Sequence, residues 1–290
     1  DPLLRPVLEA VRREVEALEI PVHDERIGEG VLRYALARAS RLTSEVHLTL
    51  VATTEGVPRL RQLLARMRRA HASLRAVFLC VNRTPGNRLL SHDIRRLFGP
   101  MALRERFGQL QLESRPDAFV QANVAVASRL YETARRWLAP RPSDVVVDLY
   151  SGVGAIAITL ADSVARVLGV ERSVSAVDCA RANARRAGRA NVEIVAAGAE
   201  HAVSITRQRQ LRRVDAVIVN PPRAGLTLEA REAVVALAAR HVLYVSCDPA
   251  TLARDLGWLA GRGYALRRVR GFDMMPQTPH IETLALVVRR

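Results

Sequence analysis

The chain has 290 residues, 49% of them apolar, which suggests one large domain or, as we predict, two. Its three cysteines, Cys80, Cys179 and Cys247, lie far apart, which argues against a disulfide framework and predicts a reducing, cytoplasmic location. No stretch is long and apolar enough to span a membrane, so we expect no membrane partner. Lys and Arg number 44 against 29 for Asp and Glu, and this net charge of +15 favours nucleic acid as the partner.

The first 113 residues contain helix and strand patterns but no catalytic motif. Apolar residues at helical spacing predict helices, and short apolar or alternating runs predict strands. The predicted elements are a helix at 3–18, strands at 31–38, 45–53 and 76–82, a helix at 58–71 and a turn at 84–87. The second helix has five arginines, and it is either a solvated face or an RNA contact. We predict a small α/β domain at 1–113, which starts at Asp1 without a Met and is therefore expected to be truncated.

The second predicted domain, residues 114–290, begins with a polar stretch and a long helix at 124–138. Strands and helices then alternate, which is typical of a parallel sheet with helices on both faces. The predicted strands lie at 145–149, 166–171, 191–195, 214–219 and 241–245, with a helix at 156–165 and a final hairpin of strands at 264–269 and 282–288. The fold class is therefore α/β, with a Rossmann-like second domain.

A glycine-rich turn after the first of these strands predicts a cofactor site. Gly152 and Gly154 open a helix, so a ligand can approach the backbone closely, and Glu171 ends the next strand, where an acid can accept hydrogen bonds from a ribose. Both a dinucleotide and S-adenosylmethionine fit this pattern. Asp148 at the strand end would repel a pyrophosphate but suits the positive charges of S-adenosylmethionine, which we therefore favour.

The motif Asn220-Pro-Pro-Arg223 follows the fourth strand of the predicted sheet. The two prolines make the turn rigid and fix the Asn220 amide, which can donate to and accept from the edge of a base. The alternative is an ordinary proline-rich turn. Enzymes that methylate exocyclic amines have an aromatic residue after this motif, so Arg223 argues against amine methylation.

Cys247 lies between the fifth strand and a helix that Asp248 and Pro249 are expected to begin. A helix N-terminus lowers the pKa of a thiol and makes it a nucleophile, although most free cysteines are simply small buried residues. A thiolate that adds to C6 of a pyrimidine activates C5 for methylation. A base must then remove the C5 proton, and Glu282 is the candidate, with His280 as a second.

Four motifs together resemble those of the RNA 5-methyluridine methyltransferases. They are Asp148-Leu-Tyr-Ser-Gly-Val-Gly154, Asn220-Pro-Pro-Arg-Ala-Gly225, Val245-Ser-Cys-Asp-Pro-Ala-Thr-Leu-Ala-Arg-Asp255 and Asp273-Met-Met-Pro-Gln-Thr-Pro-His-Ile-Glu282, and Phe119-Val-Gln-Ala-Asn123 matches the segment before the catalytic domain. The resemblance implies a Rossmann-like methyltransferase domain preceded by the family's central domain. It also implies that Cys247 is the nucleophile and Glu282 the base.

The resemblance further assigns contacts. It implies that Gln121, Tyr150 and Glu171 contact S-adenosylmethionine and that Asn220 lies beside both cofactor and target base. Together with the arguments above, the predicted cofactor-binding residues are Gln121, Tyr150, Gly152, Gly154, Glu171 and Asn220, and the predicted substrate-binding residues are Asn220 and Arg223.

The sequence looks most similar to the 23S rRNA subgroup of the family, so we expect a uridine of 23S rRNA as the target, with a tRNA uridine as the alternative, and a monomeric protein. Ala155 and Gly198 depart from the family pattern around the cofactor. Many members hold an iron–sulfur cluster with cysteines that would lie upstream of Asp1, so we expect no cluster on this chain alone. The competing interpretations are a cytosine-C5 methyltransferase, a non-catalytic RNA-binding protein and a dinucleotide-dependent oxidoreductase.

Overall fold

In the computed structural model, which describes residues 1–84, 86 and 89–290, the chain divides into two compact units. The first consists of residues 1–105 and 113–117, and the second of residues 106–112 and 118–290. The sequence suggested one boundary after residue 113. The division is instead interleaved, because it crosses both strands of a hairpin, β5 (Leu103–Phe107) and β6 (Leu110–Ser114), which the sequence did not predict. The turn predicted at 84–87 includes Pro85 and Asn87, which lie outside the described residues.

The first unit is built on a four-stranded sheet of order β1-β2-β3-β4. Its elements are α1 (Leu4–Ala17), β1 (Leu32–Ala39), β2 (Val46–Ala52), α2 (Leu60–Ala70), β3 (Leu74–Val81) and β4 (Ile94–Phe98). The parallel pair β2 and β3 is joined through α2, and all seven residues of β2 are buried. The helices and first three strands confirm the sequence prediction. β4 is an addition, because Arg95 and Arg96 interrupt its apolar residues and leave no strand pattern.

The second unit contains a seven-stranded sheet of order β12-β13-β11-β10-β7-β8-β9. Its strands are β7 (Val145–Leu149), β8 (Arg166–Glu171), β9 (Val192–Ala196), β10 (Ala216–Val219), β11 (His241–Ser246), β12 (Tyr264–Phe272) and β13 (Glu282–Arg289). The helices are α3 (Val124–Leu138), α4 (Ala155–Leu160), α5 (Val174–Arg186), α6 (Ala202–Gln208), α7 (Leu228–Ala236) and α8 (Pro249–Ala260). The first five strands are parallel and β13 is antiparallel to both β11 and β12, which confirms the predicted sheet and hairpin.

Both faces of this sheet are covered by apolar packing, as expected for a Rossmann-like domain. Alternate residues of the central strands, such as Val146 and Val147, belong to separate buried clusters on opposite sides. The helix predicted at 156–165 is shorter than expected. It ends at Leu160 and a 3₁₀ turn follows, since the Ala165 amide already donates to Asp144 O at 2.9 Å as the chain turns into β8.

The strand order gives this sheet a natural binding crevice. The chain leaves β7 for β8 on one side and later pairs β10 with β7 on the other. Open α/β sheets bind ligands at such a switch point, beyond the carboxyl ends of the strands. Among the described residues, no helix has the length and apolar character needed to cross a membrane.

Candidate active site

A cavity of about 530 Å³ lies at the carboxyl ends of the parallel strands in the second unit. Eight of the nine residues predicted from the sequence line it: Gln121, Tyr150, Gly152, Glu171, Asn220, Arg223, Cys247 and Glu282. His280, the second candidate base, lines it as well. Residues from six separate stretches of the chain are thus brought to one place by the sheet topology.

Gly154 is the predicted site residue that does not line the cavity. It is the N-cap of α4 with φ 83°, and a Cβ there would lie 3.2 Å from Cβ of Ala180 and 3.3 Å from Cδ1 of Ile158. Gly154 therefore allows close packing of α4 against α5, while Gly152, with φ 53°, is open toward the cavity. Tyr150 also has a left-handed backbone, with φ 60°, a conformation that costs a non-glycine residue about 1 kcal/mol or more.

The Glu171 carboxylate holds the glycine-rich turn in place. Its Oε2 accepts from the Gly152 amide at 3.0 Å, and its Oε1 accepts from the Ser173 amide at 2.8 Å. A carboxylate has about four acceptor positions. Glu171 can therefore fix the turn and still accept hydrogen bonds from a ligand hydroxyl in the cavity.

Asp148 is the most unusual group in the cavity. It is 1% exposed, and neither of its carboxylate oxygens has a hydrogen-bond partner among the described residues. Burial raises the pKa of Asp148 to about 7, although the nearby Ala157 amide opposes part of this rise. A buried carboxylate without partners is costly, so this position fits a ligand that brings positive charge or N–H donors.

Cys247 has the local geometry that the sequence predicted. The Asp248 side chain caps α8 by accepting from the Thr251 amide at 2.8 Å, and Pro249 occupies the first turn. Cys80 and Cys179 are buried, whereas Cys247 is partly exposed to the cavity.

The predicted lowering of the thiol pKa is wrong. Burial raises the pKa of Cys247, and the charge of Glu282 acts in the same direction, while Arg223 opposes them. The position of Cys247 at a helix N-terminus did not predict the direction of its pKa shift, because desolvation disfavours the thiolate more than the terminus favours it.

Glu282 is the first residue of β13, and the sheet register brings it beside the end of β11. Thr283 pairs with Ser246, so Glu282 lies next to the level of Cys247 on the neighbouring strand. Glu282 is 6% exposed, and burial raises its pKa to about 7, with a hydrogen bond from Gln121 acting in the opposite direction. A carboxylate with a pKa near neutrality can accept a proton there.

Comparison with known proteins identifies the family. A model of the tRNA (uracil-5-)-methyltransferase family matches residues 97–290. The chain belongs to this family. An uncharacterized RNA methyltransferase of Geobacter sulfurreducens is 35% identical over all of this chain, and another from Thermotoga maritima is 32% identical over 98% of it. The chain spans 58% and 63% of the lengths of these two proteins.

A solved structure gives the same picture. The tRNA (uracil-54, C5)-methyltransferase of Pyrococcus abyssi, in complex with S-adenosyl-L-homocysteine, is 28% identical with a TM-score of 0.75. The match covers 97% of this chain and 66% of that one. The Rossmann-like methyltransferase fold predicted from the sequence is confirmed.

In this uracil-C5 methyltransferase family member, apolar side chains that the sequence reasoning did not assign complete the cavity wall. They are Phe119, Tyr131, Met274, Met275 and Ile281. Phe119 is 68% exposed although it lies beside the cavity. Its position two residues before Gln121 could have suggested a role, whereas Tyr131 is indistinguishable in sequence from a helix core residue.

A buried network, which we call the Asp255 network, fastens the Asn220–Arg223 loop to α8. Asp255 is fully buried, and its Oδ2 accepts from Tyr244 Oη at 2.6 Å and from the Leu226 amide at 2.8 Å. Arg254 donates through Nε to Asp255 Oδ1 at 2.9 Å and through Nη2 to Ala224 O at 2.9 Å. The loop that presents Arg223 is thereby fixed relative to the strand and helix that present Cys247.

Proposed function

We propose that this protein transfers a methyl group from S-adenosylmethionine to C5 of a uridine in RNA. The observation that carries the proposal is the meeting of Cys247 and Glu282 in one cavity, in a member of the uracil-C5 methyltransferase family. A thiol and a carboxyl group at adjacent strand ends are the two groups that this reaction requires.

The residues around Asp148 fit S-adenosylmethionine. The cofactor has an ammonium and a sulfonium group, and the unpartnered Asp148 carboxylate is suited to such positive charge. Glu171 and the open backbone at Gly152 would hold the ribose side, with Gln121, Tyr150 and Asn220 around them. The pyrophosphate of a dinucleotide would instead meet two carboxylates, which argues against the oxidoreductase alternative. When bound, S-adenosylmethionine supplies the methyl group.

In the proposed mechanism the Cys247 thiolate adds to C6 of the uracil, and the electron pair of the C5–C6 double bond moves onto the C4 carbonyl as an enolate. C5 then becomes the nucleophile that accepts the methyl group. Glu282 takes the remaining C5 proton, the double bond re-forms and the C6–S bond breaks, which returns the thiolate. The charge of Arg223, which opposes the rise in the pKa of Cys247, favours the first step.

We further propose a uridine of 23S rRNA as the acceptor. Two sequence marks resemble that subgroup: Asn220, where Asp is commoner in the family, and the stretch Ala-Val-Ala-Ser-Arg-Leu-Tyr131. A tRNA uridine is the second candidate, because the Pyrococcus neighbour is a tRNA enzyme. The first unit, with its basic helix α2, is the proposed RNA-contacting domain. Incubation of the protein with S-adenosylmethionine and either unmodified RNA, followed by mass spectrometry of nucleosides, distinguishes the two acceptors.

The mechanism predicts a trapped intermediate. In Glu282→Gln the C5 proton cannot be removed, so the methylated uridine should remain bonded to Cys247 as a covalent protein–RNA adduct. The adduct is detected as a denaturation-resistant band, and the modified residue is mapped by peptide mass spectrometry.

The double variant Cys247→Ala/Glu282→Gln is the matched control and should form no adduct. His280→Gln removes the other candidate base. It should turn over without trapping, because Glu282 is still present to take the C5 proton. An adduct on any residue other than Cys247, or full methylation by Cys247→Ala, would contradict the proposal.

A further inference from the structure

β12 is an edge strand of the seven-stranded sheet, with β13 as its one neighbour among the described strands. Six consecutive residues, 266–271, are exposed, although the strand ends at Tyr264 and Phe272 are buried. The register is irregular between Leu266 and Arg268, so Arg267 is the extra residue of a bulge. The outer side of β12 is therefore a surface available to a partner.

This surface is strongly and uniformly positive. It contains Arg267, Arg268 and Arg270, and none of the three forms an ion pair with a side chain in the described part of the chain. The segment from residue 262 to the end contains six arginines but, as acids, only Asp273 and Glu282. Many other arginines of the protein are paired with carboxylates, as Arg166 is with Glu193 at 2.7 Å.

The arginine surface is continuous with the rim of the cavity. Phe272 pairs with Glu282, so Arg270 lies two residues, about 7 Å along the strand, from the level of the proposed base. Gly271 packs on Ile281, a cavity-lining residue, since a Cβ on this glycine would lie 2.5 Å from Ile281 Cδ1. A chain that enters the cavity can therefore continue along β12 without crossing another element of the sheet.

Aromatic rings support two of the guanidinium groups. The guanidinium carbon of Arg270 lies 5.3 Å from the ring centroid of Phe272, and that of Arg268 lies 5.9 Å from the ring of Trp137 on α3. Such contacts limit the motion of an exposed arginine while leaving its N–H groups available. Arginine forms paired hydrogen bonds with phosphate oxygens.

We propose that the exposed edge of β12 binds the phosphate backbone of the RNA segment adjoining the target uridine, through Arg268 and Arg270. This inference rests on the proposed function for the identity of the RNA. Charge complementarity and continuity with the cavity select RNA over a second protein chain as the occupant.

The test compares two double variants of equal charge. Arg268→Gln/Arg270→Gln removes two of the proposed contacts, and Arg207→Gln/Arg212→Gln removes two exposed arginines that do not line the cavity. Binding of a labelled rRNA or tRNA fragment is measured by fluorescence anisotropy at several salt concentrations. The β12 variant should bind about tenfold more weakly and should reduce the slope of log K against log salt by about 1.4, at about 0.7 per lost contact to single-stranded RNA.

Further readouts separate this inference from the proposed function. S-adenosylmethionine affinity, measured by calorimetry, and kcat at saturating RNA should be unchanged in the β12 variant, while KM for RNA rises about tenfold. Wild-type protein that binds RNA without methylating it would refute the proposed function but not the surface. The proposed RNA contact at β12 would be refuted if the β12 variant kept the wild-type salt slope. It would also be refuted if the β12 variant and the control variant lost the same affinity and the same slope. A wild-type dimer that the β12 substitutions convert to a monomer would refute it as well, because a second copy would then occupy the edge.

Discussion

Replacement of Asp255 by alanine tests the Asp255 network as a determinant of stability. The side chain is fully buried, so the variant leaves Tyr244 Oη and the Leu226 amide without their acceptor in a dry environment. An unsatisfied buried donor costs about 1–3 kcal/mol, and two such donors cost about 2–6 kcal/mol. Arg254 adds little, because its side chain is 47% exposed and water can replace the lost partner. We expect the free energy of unfolding to fall by about 4 kcal/mol.

The assay is urea denaturation of Asp255→Ala, followed by circular dichroism, beside two comparison variants. Tyr244→Phe removes one donor and leaves Asp255 with its other partners, so it should cost about 1 kcal/mol. Asp117→Ala is the control: at a half-buried position outside this network, it measures how much the loss of one carboxylate elsewhere changes the free energy of unfolding. If Asp255→Ala cost no more than Tyr244→Phe with an unchanged m value, the two buried donors would have other acceptors and the reasoning would be wrong.

Two further predictions concern the buried carboxyl groups. Because Glu282 must be ionised to accept the C5 proton and its pKa is raised to about 7, the rate at which the methylated Cys247 adduct breaks down should rise with pH through about 7, as measured in single-turnover reactions run from pH 5.5 to 8.5. A breakdown rate that is flat over this range would contradict its role as base. Burial raises the pKa of Asp148 from 3.8 to about 7, so the folded state binds the extra proton and loses stability as pH rises through this window. Asp148→Asn should therefore raise the melting temperature at pH 8 but not at pH 4. The same variant should bind S-adenosylmethionine at least tenfold more weakly, as measured by calorimetry. A variant with unchanged affinity would show that this carboxylate does not face the cofactor.

The sequence predicted those parts of the fold that depend on local pattern. β7, β10 and β11 are buried on both faces and therefore appear as uninterrupted apolar runs, and the start of α8 follows from Asp248 and Pro249 alone. β4 was missed because exposed arginines interrupt its apolar residues. The end of α4 was misplaced because a backbone hydrogen bond to Asp144, from outside the helix, decides where the chain turns.

The same distinction applies to the candidate site. Motif position was enough to select eight residues that share one cavity, because parallel strands bring their carboxyl ends to a common edge. The protonation properties could not be predicted in this way. The pKa of Cys247 depends on burial and on Glu282, and the burial of Asp148 without a hydrogen-bond partner depends on the tertiary packing around it. Nor could the sequence separate Gly154 from Gly152, since only the neighbour Ala180 shows which glycine serves helix packing.

The raised pKa of Cys247 has a consequence for the order of events in the proposed mechanism. The negative charge of Glu282 is one of the causes that raise this pKa, so ionised Glu282 opposes formation of the thiolate. Once Glu282 has taken the C5 proton it is neutral, and this opposition disappears. A thiol whose pKa has fallen is a better leaving group. Proton abstraction by Glu282 therefore does two things at once: it re-forms the uracil double bond and it makes the Cys247 sulfur easier to expel.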